Sequence, residues 1–522
     1  MDVIILSPLA VGLGLFGMLA SLALLIGFAY RGWSVLLLAP FAAMLAAAIS
    51  GEPVLAHWTQ TFMNSAARFL AQFFPLFLLG ALFGKLMEDS GSVKAIASFM
   101  TAKLGAHRAI FAVVIGGALV TYGGVSLFVA FFVIAPMGTA LFQAANIPRR
   151  LMPAAIALGT STFTMSALPG TPAIQNAIPM PFFGTTPFAA PGLGVIASIV
   201  MVGFGLWWLS LQQSRAKAAN EGFEGLSAVA AAAATASASA SASASATASA
   251  SASASASKSA PSASLVRERA TVSQSFDPEE IEHGHLSSDL PSFGVAMTPL
   301  VLVVCANLLM NVIVLPRIDA DYLADVRWGE TSLSAVGGVW GVCVALAVAI
   351  VALIVLNRRR LPALRDTVDA GANASVLPVL SVGSLVGYGA VIAALPAFAL
   401  VREWVLGVGG GPLVSLAVAT NLLAALTGSA SGGLTIALDA LGSTYLQLAA
   451  QHGIDPALLH RVAMISSGTL DSLPHNGAVV TLLAVCGSSH RESYRDIVIV
   501  GILGALLALV VVIVLGSIIG SF

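Results

Sequence analysis

Two short polar stretches interrupt long apolar runs, and each contains proline. The first, residues 159–172, carries five hydroxyl side chains within 160–167 and then Pro169 and Pro172. Proline breaks a helix, and a helix broken inside lipid must line a cavity or be covered by protein. Freed backbone groups, hydroxyls and a helix N-terminus together suit a carboxylate. The substrate contacts predicted here are Ser161, Thr164 and Thr171.

The second stretch, residues 466–477, repeats the hydroxyls and the break, now at Pro474, and adds Asp471 and His475. Ionisable side chains are costly within membrane segments and usually functional there. Histidine changes charge near neutral pH, and burial favours the protonated form of a carboxyl group. We therefore predict that Asp471 and His475 bind a coupled proton. The substrate contacts predicted here are Thr469 and Asn476.

Two glycine- and serine-rich turns, at 122–126 and 427–433, form a further pair. Small residues let the backbone approach a ligand closely. The substrate contacts predicted in or beside these turns are Ser126, Asn421, Ser429 and Ser431. Ordinary packing offers an alternative: small residues also form helix-packing faces, and the proline stretches would then be kinked helices whose hydroxyls bond their own backbone.

The elements that must hold these residues are membrane helices. Of 522 residues, 58% are hydrophobic and only 9% are charged, against about 25% in soluble domains. Continuous apolar runs of about 20 residues favour spanning helices over a β-barrel. We predict an all-α integral membrane fold with about 12 spans plus two re-entrant hairpins near 122–145 and 428–450. The predicted spans are roughly 4–29, 33–50, 66–87, 108–121, 151–168, 192–211, 294–316, 333–356, 373–398, 412–427, 462–485 and 496–519.

Composition also limits the partners. The net charge is -1 and no dense basic patch occurs, so no nucleic-acid partner is expected. The three cysteines are far apart and lack metal-ligand spacing, so neither a metal nor a cofactor is predicted.

A central segment divides the chain into 1–212, 213–292 and 293–522. The run from Ala230 to Ser257 alternates alanine and serine with a single threonine, a composition too poor in apolar surface to fold. We predict a disordered linker between two membrane halves. Arg215 and Lys217 precede this run and Lys258 follows it, which places the linker in the cytoplasm.

The two halves resemble each other. Pro75, Gly80 and Gly84 recur 303 residues later as a proline and two glycines, and residues 159–173 share five identities with 464–478 at an offset of 305. The basic clusters place matching helices in opposite directions. This pattern indicates an inverted-topology repeat, which is typical of secondary transporters with a midplane binding site.

Four segments carry a resemblance to a known family: 88–94, 168–172, 428–431 and 473–476. In their order and position, these segments resemble the gluconate permease (GntP) family of the ion transporter superfamily. The resemblance implies proton-coupled uptake of gluconate or a related hydroxy acid across the bacterial inner membrane. It also implies hairpin tips at Ser126 and Ser431 that face broken helices, and, through elevator-type relatives, a homodimer.

Residues 168–172 depart from the family pattern, because gluconate members carry histidine there. A smaller acid such as 3-hydroxybutyrate is therefore an alternative substrate. Sodium-coupled carboxylate uptake stays open, as does cation/proton antiport through Asp471. An enzyme is not expected: Pro474 disturbs the helical spacing of Asp471 and His475, and no second ionisable cluster accompanies them in the membrane.

Overall fold

The computed structural model describes residues 8–29, 33–105, 108–125, 127–223, 287, 289–427, 429–474 and 476–522. Within these ranges every regular element is a helix, and the predicted all-helical fold is confirmed. Most of the predicted linker, along with Ser126 and His475, lies outside the described residues.

The first half begins with a pair of packed helices and a long third helix, and ends with a long helix before the linker. Its helices are α1 Pro8–Ala29, α2 Val35–Ile49, α3 Val54–Asp89, α4 Ser92–Leu104, α5 Ala109–Tyr122, α6 Leu127–Ala144, α7 Met152–Thr160 and α8 Pro191–Ala218. Between α7 and α8 lie short helices at Phe163–Ser166, Ile174–Ala177 and Pro179–Phe183.

The second half follows a similar order. Its helices are α9 Phe293–Arg317, α10 Leu333–Leu356, α11 Leu364–Ala374, α12 Val376–Ala394, α13 Phe398–Leu406, α14 Gly411–Thr427, α15 Ala430–His452, α16 Pro456–Ser467, α17 Gly477–Val485 and α18 His490–Ile519.

Six helical stretches of the described chain are long and apolar enough to cross a bilayer: α3, α8, α9, α10, the continuous α11–α12, and α18. Several shorter helices are also apolar. Helix α5 has 14 residues, or about 21 Å, which is less than the ~30 Å hydrocarbon core. Such short helices suit re-entrant hairpins and broken spans, and the number of full crossings stays a prediction.

Matching elements occur at nearly one offset. Adding 305 to the bounds of α5, α6 and α7 gives 414–427, 432–449 and 457–465, which fall within α14, α15 and α16. This order is what a duplication predicts. The opposite orientation of the two halves stays a prediction.

Two helical hairpins position the site, with wider bounds than predicted: the segments 122–145 and 428–450 each supply one arm, α6 and α15, and the predicted spans α5 and α14 supply the other. Helices α5 and α6 pack together and contact α7, while α14 and α15 pack together and contact α16. Helix α6 also reaches α17 in the other half. Apolar side chains such as Ile199 and Ile518, 65% and 75% exposed, suit contact with lipid. The helix contacts place each hairpin against the interrupted helix of its own half.

Candidate functional site

The first break starts earlier than the prolines predict. Helix α7 ends at Thr160, a single turn forms at Phe163–Ser166, and helix resumes at Ile174. Thr162 has φ −102° and ψ −106°, outside the helical region. The chain therefore leaves the helix within the hydroxyl run, with Pro169 in the turns that follow and Pro172 in the irregular segment before Ile174.

Most hydroxyls of the first break bond their own backbone. Thr160, Thr162 and Ser166 each donate to the carbonyl four residues earlier, at 2.7, 2.7 and 2.9 Å. Thr164 donates to the Thr160 carbonyl at 3.1 Å. Ser161 differs, because its described partner is a hydroxyl and not a backbone carbonyl: with the Thr160 proton on the Ile156 carbonyl, Ser161 donates to Thr160 at 3.2 Å. Ser161 can exchange this long bond for a ligand without leaving a carbonyl unpaired.

The second break runs from Gly468 to Asn476. The hydroxyls of Ser466 and Ser467, just before this break, and of Thr469, within it, also bond their own backbone. Asn476 caps α17, since its Oδ1 accepts from the Ala478 amide at 2.7 Å. The Asp471 carboxylate accepts from the Ser472 hydroxyl at 3.2 Å and forms no ion pair with any described residue. Asp471 is thus held by a neutral donor.

A cavity of about 280 Å³ lies where both breaks meet the second hairpin tip. This volume falls just below the range of about 300–1,000 Å³ typical of drug-sized ligands, so it suits a small molecule. The polar side chains that line it include Ser161, Gln175, Ser429, Ser431, Asp471 and Asn476.

The opposite walls of the cavity are largely apolar. They come from α3, α6, α12 and α18, with Phe77, Phe131, Val382 and Ile497 among the lining residues. No lysine or arginine lines the cavity within the described chain. An anion bound there would therefore depend on hydroxyls, amides and backbone N–H groups at the helix N-termini of α15 and α17.

The structure brings some of the predicted site residues together and not others. Ser161, Ser429, Ser431, Asn476 and Asp471 line the cavity, as does Pro172. Thr164, Thr171, Asn421 and Thr469 are buried outside its lining. Pro169 and Pro474 lie in the breaks and accept hydrogen bonds through their carbonyls. The predictions for Ser126 and His475 fall outside the described residues.

A buried arginine on α16 fastens the first break. Arg461 is fully buried and donates from Nη1 to the Ala167 carbonyl at 2.9 Å and from Nε to the Ala189 carbonyl at 3.1 Å. Ala167 directly follows the short helical turn of the first break. The guanidinium therefore ties α16 to the first break, across 294 residues of sequence, and to the segment just before α8.

His460, next to this arginine, holds the side chain of Asn176 through a hydrogen bond. The Asn176 Nδ2 donates to the Thr171 and Pro187 carbonyls at 2.9 and 3.0 Å, which leaves its Oδ1 as an acceptor. His460 Nε2 lies 3.0 Å from that oxygen and so donates to it, while Nδ1 lies 2.6 Å from the Thr185 hydroxyl. These bonds fix the backbone of the segment that carries Gln175.

The first turns of α18 hold the second break. His490 donates to the Pro474 carbonyl at 2.9 Å, and the Tyr494 hydroxyl donates to the Ser472 carbonyl at 3.3 Å. Asp496 on the same helix accepts from Arg150 at 3.0 Å. A hydrogen bond to Glu221 is the main cause that raises the pKa of Arg150, so this anchor stays charged. Asp471 therefore lies in a backbone segment fixed from outside the cavity.

The residues that position the breaks are not among the predicted site residues. The predicted span 462–485 begins just after His460 and Arg461, although two basic side chains beside an apolar run are themselves a signal. Gln175 belongs to the polar run that extends the first break, and the predicted contacts omit it. Tyr494 carries no signal in the sequence, because its contact with Ser472 is a tertiary one.

Comparisons with known proteins add evidence on family and fold. The model of the GntP family permeases matches residues 9–204. Over 486 residues the chain is 38% identical to "Uncharacterized transporter YxjC" of Bacillus subtilis (strain 168), covering 92% of this chain and 94% of that protein.

A solved structure is similar in fold. It is that of MtrF from Neisseria gonorrhoeae, which represents a class of antimetabolite efflux pumps. The TM-score is 0.51 at 14% identity, and the match covers 90% of this chain and 85% of the other. At this identity the likeness concerns the fold alone.

Proposed function

Because the chain belongs to the GntP permease family, we propose that this secondary transporter carries a small hydroxylated monocarboxylate by symport with protons. The substrate is either a gluconate-type sugar acid or a shorter acid such as 3-hydroxybutyrate. The transporter is a multi-pass membrane protein and not an enzyme.

One observation carries the proposal: a single cavity collects neutral hydrogen-bonding groups from both breaks and one carboxyl group, Asp471. A carboxylate substrate and an ionised Asp471 would repel each other in a partly apolar cavity that no described lysine or arginine lines. Protonation of Asp471 removes that repulsion. Binding of the acid and of the proton would then favour each other, which is the coupling that symport needs.

The orientation and the assembly are parts of the same proposal. The protein would lie in a bacterial inner membrane with the segment between its halves in the cytoplasm, since Arg215 and Lys217 end α8. A homodimer is expected from the resemblance to elevator-type relatives. Cysteine accessibility at the ends of α8 and α9 would test the orientation.

The test is uptake by purified protein in proteoliposomes. Labelled gluconate and labelled 3-hydroxybutyrate are supplied separately, under an imposed proton gradient or an imposed sodium gradient. Accumulation of either acid driven by protons supports the proposal and shows which acid fits. Accumulation driven only by sodium would replace the coupling ion. Failure of folded, inserted protein to take up either acid under any gradient would overturn the proposal.

A further inference from the structure

Gln175 lies in the cavity wall without a hydrogen-bond partner for its side-chain oxygen among the described residues. The side chain is 8% exposed, and its Oε1 is buried and accepts no hydrogen bond from that part of the chain. It lines the cavity beside Ile174 and Ala173. Buried side-chain amides in proteins are nearly always hydrogen-bonded, so an unpaired one at a cavity needs an explanation.

The position of this amide is set by its neighbour. Asn176 is held through three hydrogen bonds, to Thr171, Pro187 and His460, so the backbone at 175 has little freedom to withdraw the side chain. Its capacity for hydrogen bonds is thereby kept available at the cavity. A half-turn of the amide exchanges its oxygen and its NH₂ group, so either end can face a ligand.

We infer that Gln175 recognises the hydroxyl group of the transported acid, an inference that rests on the proposed function. An amide offers both a donor and an acceptor, and a hydroxyl group complements both. A carboxylate only accepts, so it would use the NH₂ group alone and leave the buried amide oxygen without a donor. The carboxylate is instead better served by the tip and break of the second half, where Ser429, Ser431 and Asn476 stand at helix N-termini.

A site built to bond a hydroxyl discriminates against the analogue that lacks it, because that analogue leaves the buried amide unpaired. The experiment is therefore a competition. Uptake of whichever labelled acid the wild type transports, gluconate or 3-hydroxybutyrate, into proteoliposomes is inhibited by unlabelled 3-hydroxybutyrate or by butyrate, which differ in one hydroxyl group. The inhibition constant of butyrate is divided by that of 3-hydroxybutyrate. This ratio is measured for wild type and for Gln175→Met, which keeps the side-chain volume and loses the hydrogen bonds.

We expect this ratio to fall at least about tenfold in Gln175→Met, with butyrate inhibition little changed. Gln212→Met is the matched control, since Gln212 is a buried glutamine whose Nε2 has no partner among the described residues and which lies outside the cavity lining. Its ratio should equal that of wild type. Gln175→Asn, which shortens the amide by one carbon, gives a second variant if the methionine variant does not fold, and should lower the ratio as well.

Other outcomes are distinguishable. An unchanged ratio in a folded, active Gln175 variant overturns this inference and leaves the proposed function intact. Equal weakening of both inhibitors would mean that Gln175 binds the carboxylate, which also overturns the hydroxyl assignment. If wild-type protein transports no acid, the proposed function fails, and the inference fails with it.

Discussion

The two helix breaks share a backbone design and differ in chemistry. Both interrupt a helix within a run of hydroxyls that bond their own backbone, and both present polar groups to the same cavity. The first break, residues 161–173, contains no ionisable side chain, whereas the second contains Asp471 and His475. Only one side of the cavity can therefore change its charge.

This difference assigns separate tasks to similar elements. A neutral break can bond the substrate in every protonation state, so its contribution to binding is constant. The second break changes its affinity for an anion with the charge of Asp471. Under the proposed function, one carboxyl group added to a similar backbone would be enough to make a carboxylate site depend on a proton.

The largest effect is expected from removing the carboxyl group of Asp471, which only the second break carries. Asp471→Asn keeps the shape of the protonated carboxyl group and cannot release a proton. We expect proton-driven accumulation to be abolished, while exchange of labelled for unlabelled acid across the membrane continues and no longer varies with pH. Both are measured in the same proteoliposomes. Asp369→Asn, at an exposed position on α11, should leave both activities unchanged.

Loss of exchange together with accumulation would contradict this prediction, provided that the variant folds. Asp471 would then be needed for binding itself or for conformational change. Accumulation that persists in Asp471→Asn would place the coupling proton on another group, and His475 would be the next residue to change.

The second-largest effect is expected from the contact between α16 and the first break. Arg461→Met should leave the Ala167 and Ala189 carbonyls without donors. Hydrogen bonds from a charged group contribute about 1.5–3 kcal/mol each, so the free energy of unfolding should fall by ~3 kcal/mol or more. Thermal or denaturant unfolding in detergent measures this. Arg461→Lys keeps the charge and loses the two-carbonyl fork, and an intermediate loss is expected.

Arg365→Met is the control, because that arginine is 92% exposed and lies 3.7 Å from Asp369. Exposed pairs of this kind contribute little, so no measurable change is expected. Equal stability of the Arg461 and Arg365 variants would mean that the breaks are held without the buried guanidinium.

The sequence predicts the helices well and the interruptions less well. Predicted spans such as 333–356 coincide with observed helices, because continuous apolar runs of bilayer length leave few alternatives. The prolines predict the first break at Pro169 and Pro172, but α7 ends at Thr160. A hydroxyl run can continue a helix or end it, and packing against neighbouring helices decides which.

The sequence predicts several side chains that line the cavity, but it does not predict the residues that hold the two breaks in place. Hydroxyl and carboxyl groups are costly to place in a membrane segment, so their presence in apolar sequence indicates a site. This is the basis for predicting Ser161, Ser431 and Asp471. Which hydroxyls keep free capacity depends on backbone geometry, and the hydroxyls of Thr164 and Thr469 donate to carbonyls of the preceding helical turn. Contacts such as that of Arg461 with Ala167 join distant segments and leave no local pattern.

A smaller effect is expected where the two breaks touch. A Cβ atom on Gly468 would lie 2.7 Å from the Cβ of Ser166, so Gly468→Ala must push the breaks apart. Overpacking of this kind costs roughly 1–3 kcal/mol, and unfolding in detergent should show it. Ser166→Gly in the same chain removes the clash, so the double variant should recover most of the loss.

Gly294→Ala serves as the control for that substitution. Gly294 lies in the first turn of α9, and an added Cβ would meet no described atom within 4 Å, so stability should stay equal or rise by up to about 1 kcal/mol. A double variant no more stable than Gly468→Ala would show that the clash is with something other than Ser166.

The smallest effect separates two serines at equivalent positions in the repeat. Ser161 and Ser466 are 305 residues apart, yet Ser161 lines the cavity while Ser466 donates to the Val462 carbonyl at 2.6 Å. Ser161→Ala should raise the KM for the acid by about three- to tenfold, the effect of one neutral hydrogen bond of about 1 kcal/mol. Ser466→Ala should leave KM unchanged, since its hydroxyl serves the backbone. If both variants change KM equally, the two breaks contact the substrate alike, and the division of tasks between them would have to be abandoned.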